Sequence, residues 1–189
     1  SVTSLGIYAF EGCTGLESLS LENGAGLEHI GAYAFSGCTR LSEAALLSDA
    51  LVYIGDYAFY SCTSLAEFTV AKSVVSLGEG TFSACTALTS FYVEDGNAVY
   101  SSVSGVLYAA GGKTLVAYPA ARAAQAFSIP SGVEKIDPFA FSFSLNLKTV
   151  EIPATVTEIG KNAFEYSASI SEIDIPASVT ELGGFAFFG

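Results

Sequence analysis

Positive charge is scarce in this chain: 7 Lys and Arg stand against 19 Asp and Glu, with a single His, over 189 residues. The net charge of −12 repels a nucleic-acid backbone and an anionic membrane surface, so neither is expected as a partner. Long apolar runs are lacking too. None approaches the roughly 18 residues that span a bilayer as a helix, so no membrane insertion is expected of this segment. Charged residues make up only 14% while 51% are hydrophobic, a balance that supplies a large buried core and argues against disorder. Closely spaced cysteine pairs are absent as well, because Cys13, Cys38, Cys62 and Cys85 lie far apart along the chain.

What is present is repetition. The phrases LGIYAFEGC (5–13), IGAYAFSGC (30–38), IGDYAFYSC (54–62) and LGEGTFSAC (77–85) are variants of one another. Their aromatic recurs as Phe10, Phe35, Phe59, Phe82, Phe141, Phe164 and Phe187, at spacings of 25, 24, 23, 59, 23 and 23. Other columns fall into phase. Five residues before it lie Leu5, Ile30, Ile54, Leu77, Ile136, Ile159 and Leu182; six after it lie Leu16, Leu41, Leu65, Leu88, Leu147 and Ile170. Nine and eleven after it come pairs such as Leu19 and Leu21, Phe68 and Val70, Val150 and Ile152, and Ile173 and Ile175. This L-x-x-L-x-L skeleton, alternating as a half-buried strand does, on a period near 23, predicts a leucine-rich solenoid.

The spacing of 59 hides one more coil. Subtracting one period places its aromatic at Tyr118, with Phe127 and Ile129 in strand phase nine and eleven residues on. Coils 1 to 8 are therefore numbered on Phe10, Phe35, Phe59, Phe82, Tyr118, Phe141, Phe164 and Phe187. Coil 5 is degenerate and carries an insert within about 94–129, predicted as a β-hairpin with strands 106–108 and 114–118 standing off the solenoid. Smaller insertions at 22–26 and 47–50 are expected as loops. The expected fold is a single domain over 1–189: a β-rich, leucine-rich-repeat-like repeat solenoid with short helical elements. It is expected to be a right-handed superhelix with one parallel strand ladder and a β-hairpin insert. The Ala-Phe segment is expected to close each coil as a helical or 3₁₀ turn, and the Gly before it to supply an unusual backbone shape. Both ends fall inside a coil, so this is expected to be a fragment of a longer chain.

The repeat IPASVTELGGFAF (175–187), joined to CTSLAEFTV (62–70), resembles the BspA-type leucine-rich repeat over essentially the whole length. The excursion resembles a variant of that family, on Asn97, Tyr100, Ser102, Gly105 to Tyr108, Lys113 to Leu115, Tyr118 and Pro119. Departures are few: Asp137 replaces the Gly, and Ser144 and Ser167 replace the Cys. The resemblance implies a bacterial surface protein and adhesion to host matrix proteins or other microbes, as a class of function rather than a ligand.

The four Cys all lie three after the aromatic, forming a column that favours structural thiols facing buried backbone. One adaptive disulfide is the next reading and a metal site the least favoured, since zinc ligands converge on a point. Cys38 and its equivalents lie in a different column from His29, whose column faces solvent, so no Cys–His dyad is expected. Outward strand positions carry Glu43, Glu67, Tyr92, Glu151, Glu172 and Asp174, with Tyr100 and Tyr108 on the hairpin. Stacked repeats create carboxylate pairs automatically, so catalysis is not expected, nor any cofactor or metal. These eight residues are the candidate binding positions, for a protein or glycan ligand at a cell surface or matrix. Tyr8, Tyr33, Tyr57, Phe139 and Phe185 form a second aromatic column, read as half-buried packing or as a docking stripe. The function expected is a non-enzymatic extracellular or cell-surface binding module, whose signal and anchor would lie outside this segment. A passive spacer and a scaffold for an enzymatic domain elsewhere are the alternatives.

Overall fold

Repeats of this length cannot bury an apolar face alone, so the coils must stack, and the hydrogen bonds between coils record how. The computed structural model describes residues 2–20, 26–46 and 48–189. Leu21, most of the 22–26 insertion and the first residue of the 47–50 insertion lie outside the described residues. The chain forms a β-solenoid in which coils 1 to 6 contribute two strand segments each to ladders, not one. Two-residue strands at Ser4–Leu5, His29–Ile30, Tyr53–Ile54 and Ser76–Leu77 form a four-stranded parallel sheet. Longer strands pair in parallel as Ser18–Ser20 with Glu43–Ala45, Glu67–Val70 with Ser90–Val93, and Ala126–Ser128 with Thr149–Glu151. The expectation of a single ladder is thus corrected. The short ladder arises because the residue five before the aromatic points inward while its predecessor faces out, and two residues suffice for a bridge. Ile173 and Ile175, expected in a strand, belong to none.

The expected register holds. Phe68 pairs with Phe91, Phe127 with Val150, and Leu5 with Ile30, each one repeat apart. Side chains of one column therefore stack like on like. The Phe10, Phe35 and Phe59 rings lie 5.2 and 5.3 Å apart and nearly parallel. In the second half Tyr118, Phe141, Phe164 and Phe187 follow at 5.2, 4.7 and 5.0 Å. Buried apolar residues gather into two clusters, one built mainly from coils 2 to 4 and one from the excursion through coil 8.

The turn around the aromatic is not helical. Among the described residues the one 3₁₀ segment is Ala110–Gly112, in the excursion. The residues two before and two after the aromatic are left-handed instead: Tyr8, Tyr33 and Tyr57 at φ 62, 56 and 54°, and Gly12, Gly37 and Ser61 at φ 68, 71 and 59°. The cause lies between coils. Tyr8, Phe10 and Gly12 donate their N–H groups to the carbonyls of Ala32, Ala34 and Ser36 in the next coil, at 3.0, 2.7 and 2.8 Å. A helix would spend those donors on its own carbonyls.

The Gly before this turn also differs from expectation. At Gly31, Gly55, Gly78, Gly160 and Gly183 a Cβ would lie 2.7, 2.6, 2.3, 2.5 and 2.2 Å from backbone of the preceding coil. None of these five has positive φ. Close approach of backbones is what demands glycine here.

The insert does not stand off the solenoid; it forms part of the wall. Strands Tyr100–Val103, Val106–Ala109 and Thr114–Ala117 pair antiparallel, one strand more than expected. Thr114–Ala117 then joins Lys135–Ile136 in parallel, which continues through Glu158–Ile159 to Glu181–Leu182. Val106, Leu107, Tyr108 and Leu115 are buried, because Leu115 takes the place of a coil residue against Ile136.

Candidate functional site: the acidic strand face

Along the longer strands, side chains alternate between core and solvent. In Glu67–Val70, Phe68 and Val70 are buried while Glu67 is exposed. Glu43 and Glu151 are exposed at the same phase of their strands. Tyr92 is 48% exposed, and its hydroxyl donates to Glu67 Oε1 across the strand pair at 3.3 Å. Ser128 Oγ likewise donates to Glu151 Oε2 at 2.5 Å. Glu172 and Asp174 are exposed but lie outside any strand. Glu43, Glu67 and Glu151 thus form a row along the longer strands, with hydroxyl partners at Glu67 and Glu151.

Charge is what distinguishes this row. Lys72 pairs with Asp49 at 2.8 Å, Lys113 with Glu134 at 3.0 Å, Lys135 with Glu158 at 2.9 Å and Lys161 with Glu79 at 2.5 Å. Arg40 pairs with Glu17. Among the described residues, none of Glu43, Glu67, Glu151, Glu172 and Asp174 has such a partner. Five of the chain's seven Lys and Arg are thus paired with other carboxylates.

Two proposed binding residues are misplaced by the sequence. Tyr108 is 4% exposed and belongs to the second core cluster, so no ligand reaches it on the surface. Tyr100 is half-buried, and its hydroxyl accepts a hydrogen bond from the Leu77 N–H at 2.8 Å. Both follow from the insert lying in the wall.

The cysteine column is structural in geometry. Cys38, Cys62 and Cys85 are buried free thiols whose Sγ atoms donate to the carbonyls of Phe10, Phe35 and Phe59 at 3.2, 3.2 and 3.1 Å. Ser167 makes the same bond to Phe141 with its hydroxyl, whereas the buried Ser144 hydroxyl has no hydrogen-bond partner among the described residues. Burial pushes the Cys85 thiol up to about 12 and raises the Cys62 thiol as well. A neutral, buried thiol of this kind is a poor nucleophile. His29 lies beside Glu28 on the surface. The second aromatic column stacks through Tyr8, Tyr33 and Tyr57 at 5.1 and 4.9 Å, with Tyr33 and Tyr57 half-buried.

This geometry defines a leucine-rich-repeat solenoid. Residues 1–103 and 117–189 match the family described as BspA type Leucine rich repeat region, in 6 copies, and the chain belongs to that family. The residues between the two matched stretches contain Val106–Ala109, the central strand of the insert. No curated protein matches in sequence. Among solved structures, the chain is similar to the pneumococcal vaccine antigen PcpA, at 29% identity and TM-score 0.74, over 89% of this chain and 47% of that one. It is similar to a leucine-rich repeat protein from Eubacterium ventriosum at 28% identity and TM-score 0.79, covering 96% and 53%. A leucine rich cell surface protein from Faecalibacterium prausnitzii shares 25% identity at TM-score 0.50, covering 100% and 68%. The chain spans about half the length of the first two structures. The family and these likenesses support a repeat module for protein interaction.

Proposed function

We propose that the chain is a non-enzymatic, extracellular or cell-surface adhesion module that holds a basic protein partner against its longer-strand face. The observation that carries this reading is the row of exposed carboxylates, including Glu43, Glu67 and Glu151, with no cation paired to them among the described residues. Their side chains project from paired strands, a rigid base that costs little to order on binding. Tyr92, exposed beside Glu67, supplies an aromatic contact of the kind that anchors interfaces. Names of similar proteins, a vaccine antigen and a cell surface protein, support the surface location. Probing an array of matrix proteins and glycans with the chain tests this. Binding to basic proteins that weakens with salt and disappears in a Glu67→Lys/Glu151→Lys variant is expected. Binding to nothing, or binding that ignores the substitutions, overturns it.

A further inference from the structure

Each regular joint between coils follows one rule. From coil 3 to coil 4, the N–H groups of Tyr57, Phe59 and Ser61 donate to the carbonyls of Glu79, Thr81 and Ser83 at 2.9, 2.9 and 3.0 Å. Coil 4 presents the same donors in Gly80, Phe82 and Ala84, yet among the described residues these N–H groups find no acceptor. Buried N–H groups without partners are rare, and each needs an explanation.

For Gly80, chain length supplies it. Leu115 takes the place of the residue five before the aromatic, because its carbonyl accepts from Asp137 at 3.0 Å as that of Ile54 does from Gly78 at 2.8 Å. Tyr118 takes the aromatic's place, stacking on Phe141 and donating its N–H to Ala140 at 2.7 Å. Only Val116 and Ala117 lie between them, where Gly55 to Ala58 lie between Ile54 and Phe59. Coil 5 therefore lacks two residues of turn. By the rule above, the missing pair would offer a carbonyl to Gly80 and an N–H to the carbonyl of Pro138.

Their place is a cavity of about 300 Å³ whose lining includes Gly80, Phe82, Val116, Tyr118, Asp137 and Pro138. Contacts across it fix the walls. Ser142 Oγ donates to Ser83 Oγ at 3.0 Å, Lys161 pairs with Glu79 at 2.5 Å, and Phe139 meets Tyr57 edge-on at 5.4 Å. The Tyr118 side chain is 4% exposed, and its hydroxyl has no hydrogen-bond partner. An anion suits the N–H groups but faces Asp137 and Glu79; a cation faces the N–H groups. Lys135 and Lys161 already pair with those carboxylates, which leaves no free charge for a charged ligand to match. The site asks for a neutral group that accepts on one edge and donates on the other.

We propose that this gap is a binding site for a secondary amide carried by a short, uncharged peptide segment of a partner protein. Its carbonyl accepts from the Gly80 N–H, its own N–H donates to the Pro138 carbonyl, and the Tyr118 hydroxyl donates to a neighbouring carbonyl of the segment. The bound segment completes the backbone stack that coil 5 leaves open.

The test is an amide NMR titration of the whole chain with N-acetyl-alanyl-alanine N-methylamide, and in parallel with N-acetylglucosamine, which carries its amide on a sugar. With the peptide, saturable shifts at Gly80 and Phe82 are expected, with slowed hydrogen exchange there and no change at Tyr57 and Phe59. Tyr118→Phe is expected to bind the peptide roughly three- to tenfold more weakly, the loss of one hydrogen bond, while keeping its dispersed spectrum. If that variant does not fold, the exchange rates of Gly80 and Phe82 in the unaltered chain decide. Unchanged peaks mean that water alone occupies the gap and overturn the proposal. Shifts with the sugar but not the peptide overturn the peptide assignment.

Discussion

The Cys62 thiol donates a hydrogen bond to the carbonyl of Phe35, 3.2 Å away in the preceding coil. That carbonyl belongs to the residue whose ring fills the core, so the bond ties the aromatic column to the turn above it. The same carbonyl also accepts from the Cys38 N–H at 3.1 Å, so removing the thiol forfeits one of its two hydrogen bonds, a loss of about 0.5–1.5 kcal/mol. Cys62→Ala is expected to lose that much in urea denaturation. Cys62→Ser is expected to lose less, because Ser167 makes the same bond to Phe141.

Reactivity divides the same column. Cys13 is exposed, whereas Cys38, Cys62 and Cys85 are buried. A thiol reagent added to the folded chain should modify Cys13 alone, read by intact mass, and the remaining three only on denaturation.

Alkaline pH should weaken the fold. Burial raises Cys85 from the ordinary 9.0 to about 12 and raises Cys38 and Cys62 as well, so the folded chain holds these protons more tightly than the unfolded chain. Stability is therefore intact below about pH 9 and falls as the pH climbs toward 12. Buried Tyr108 and Tyr118, also raised by burial, add to the fall with the same sign. Thermal midpoints measured from pH 8 upward should drop more steeply for the unaltered chain than for Cys85→Ser. Equal slopes would remove the buried thiol as the cause.

Glycine before the turn can be checked in pairs. A Cβ at Gly55 would lie 2.6 Å from the Ala32 nitrogen, while one at Gly6 meets nothing within 4 Å. Gly55→Ala is expected to cost about 1–3 kcal/mol or more as the coils are forced apart, and Gly6→Ala well under that. Denaturation midpoints of the two variants would show it.

The period, the register and the aromatic column were all legible, because each column repeats one residue type and stacking forces like onto like. Leu5 over Ile30 and Phe68 over Phe91 follow from counting. The short-strand ladder was not, since a two-residue bridge such as His29–Ile30 carries no alternation to read. Nor was the turn. Tyr8, Tyr33 and Tyr57 take left-handed φ, a region that residue type disfavours and only the bonds to the next coil impose. Among candidate binding residues, Glu43, Glu67, Tyr92 and Glu151 follow strand alternation and do face solvent. Tyr108 was misplaced because an insert's apolar strand looks alike whether it projects or packs. The gap beside Gly80 was hidden for another reason: it depends on two residues that coil 5 does not have.

The most direct measurement compares two faces at equal charge. Glu67→Lys/Glu151→Lys reverses the longer-strand row; Glu28→Lys/Glu181→Lys reverses two exposed residues beside or within the short-strand ladder. Affinity of both variants and the unaltered chain for an immobilised basic matrix protein is measured by surface plasmon resonance. A loss of about tenfold or more in the first variant and a much smaller one in the second is the result predicted. Equal losses in both, or none in either, would contradict a binding face built on the longer strands.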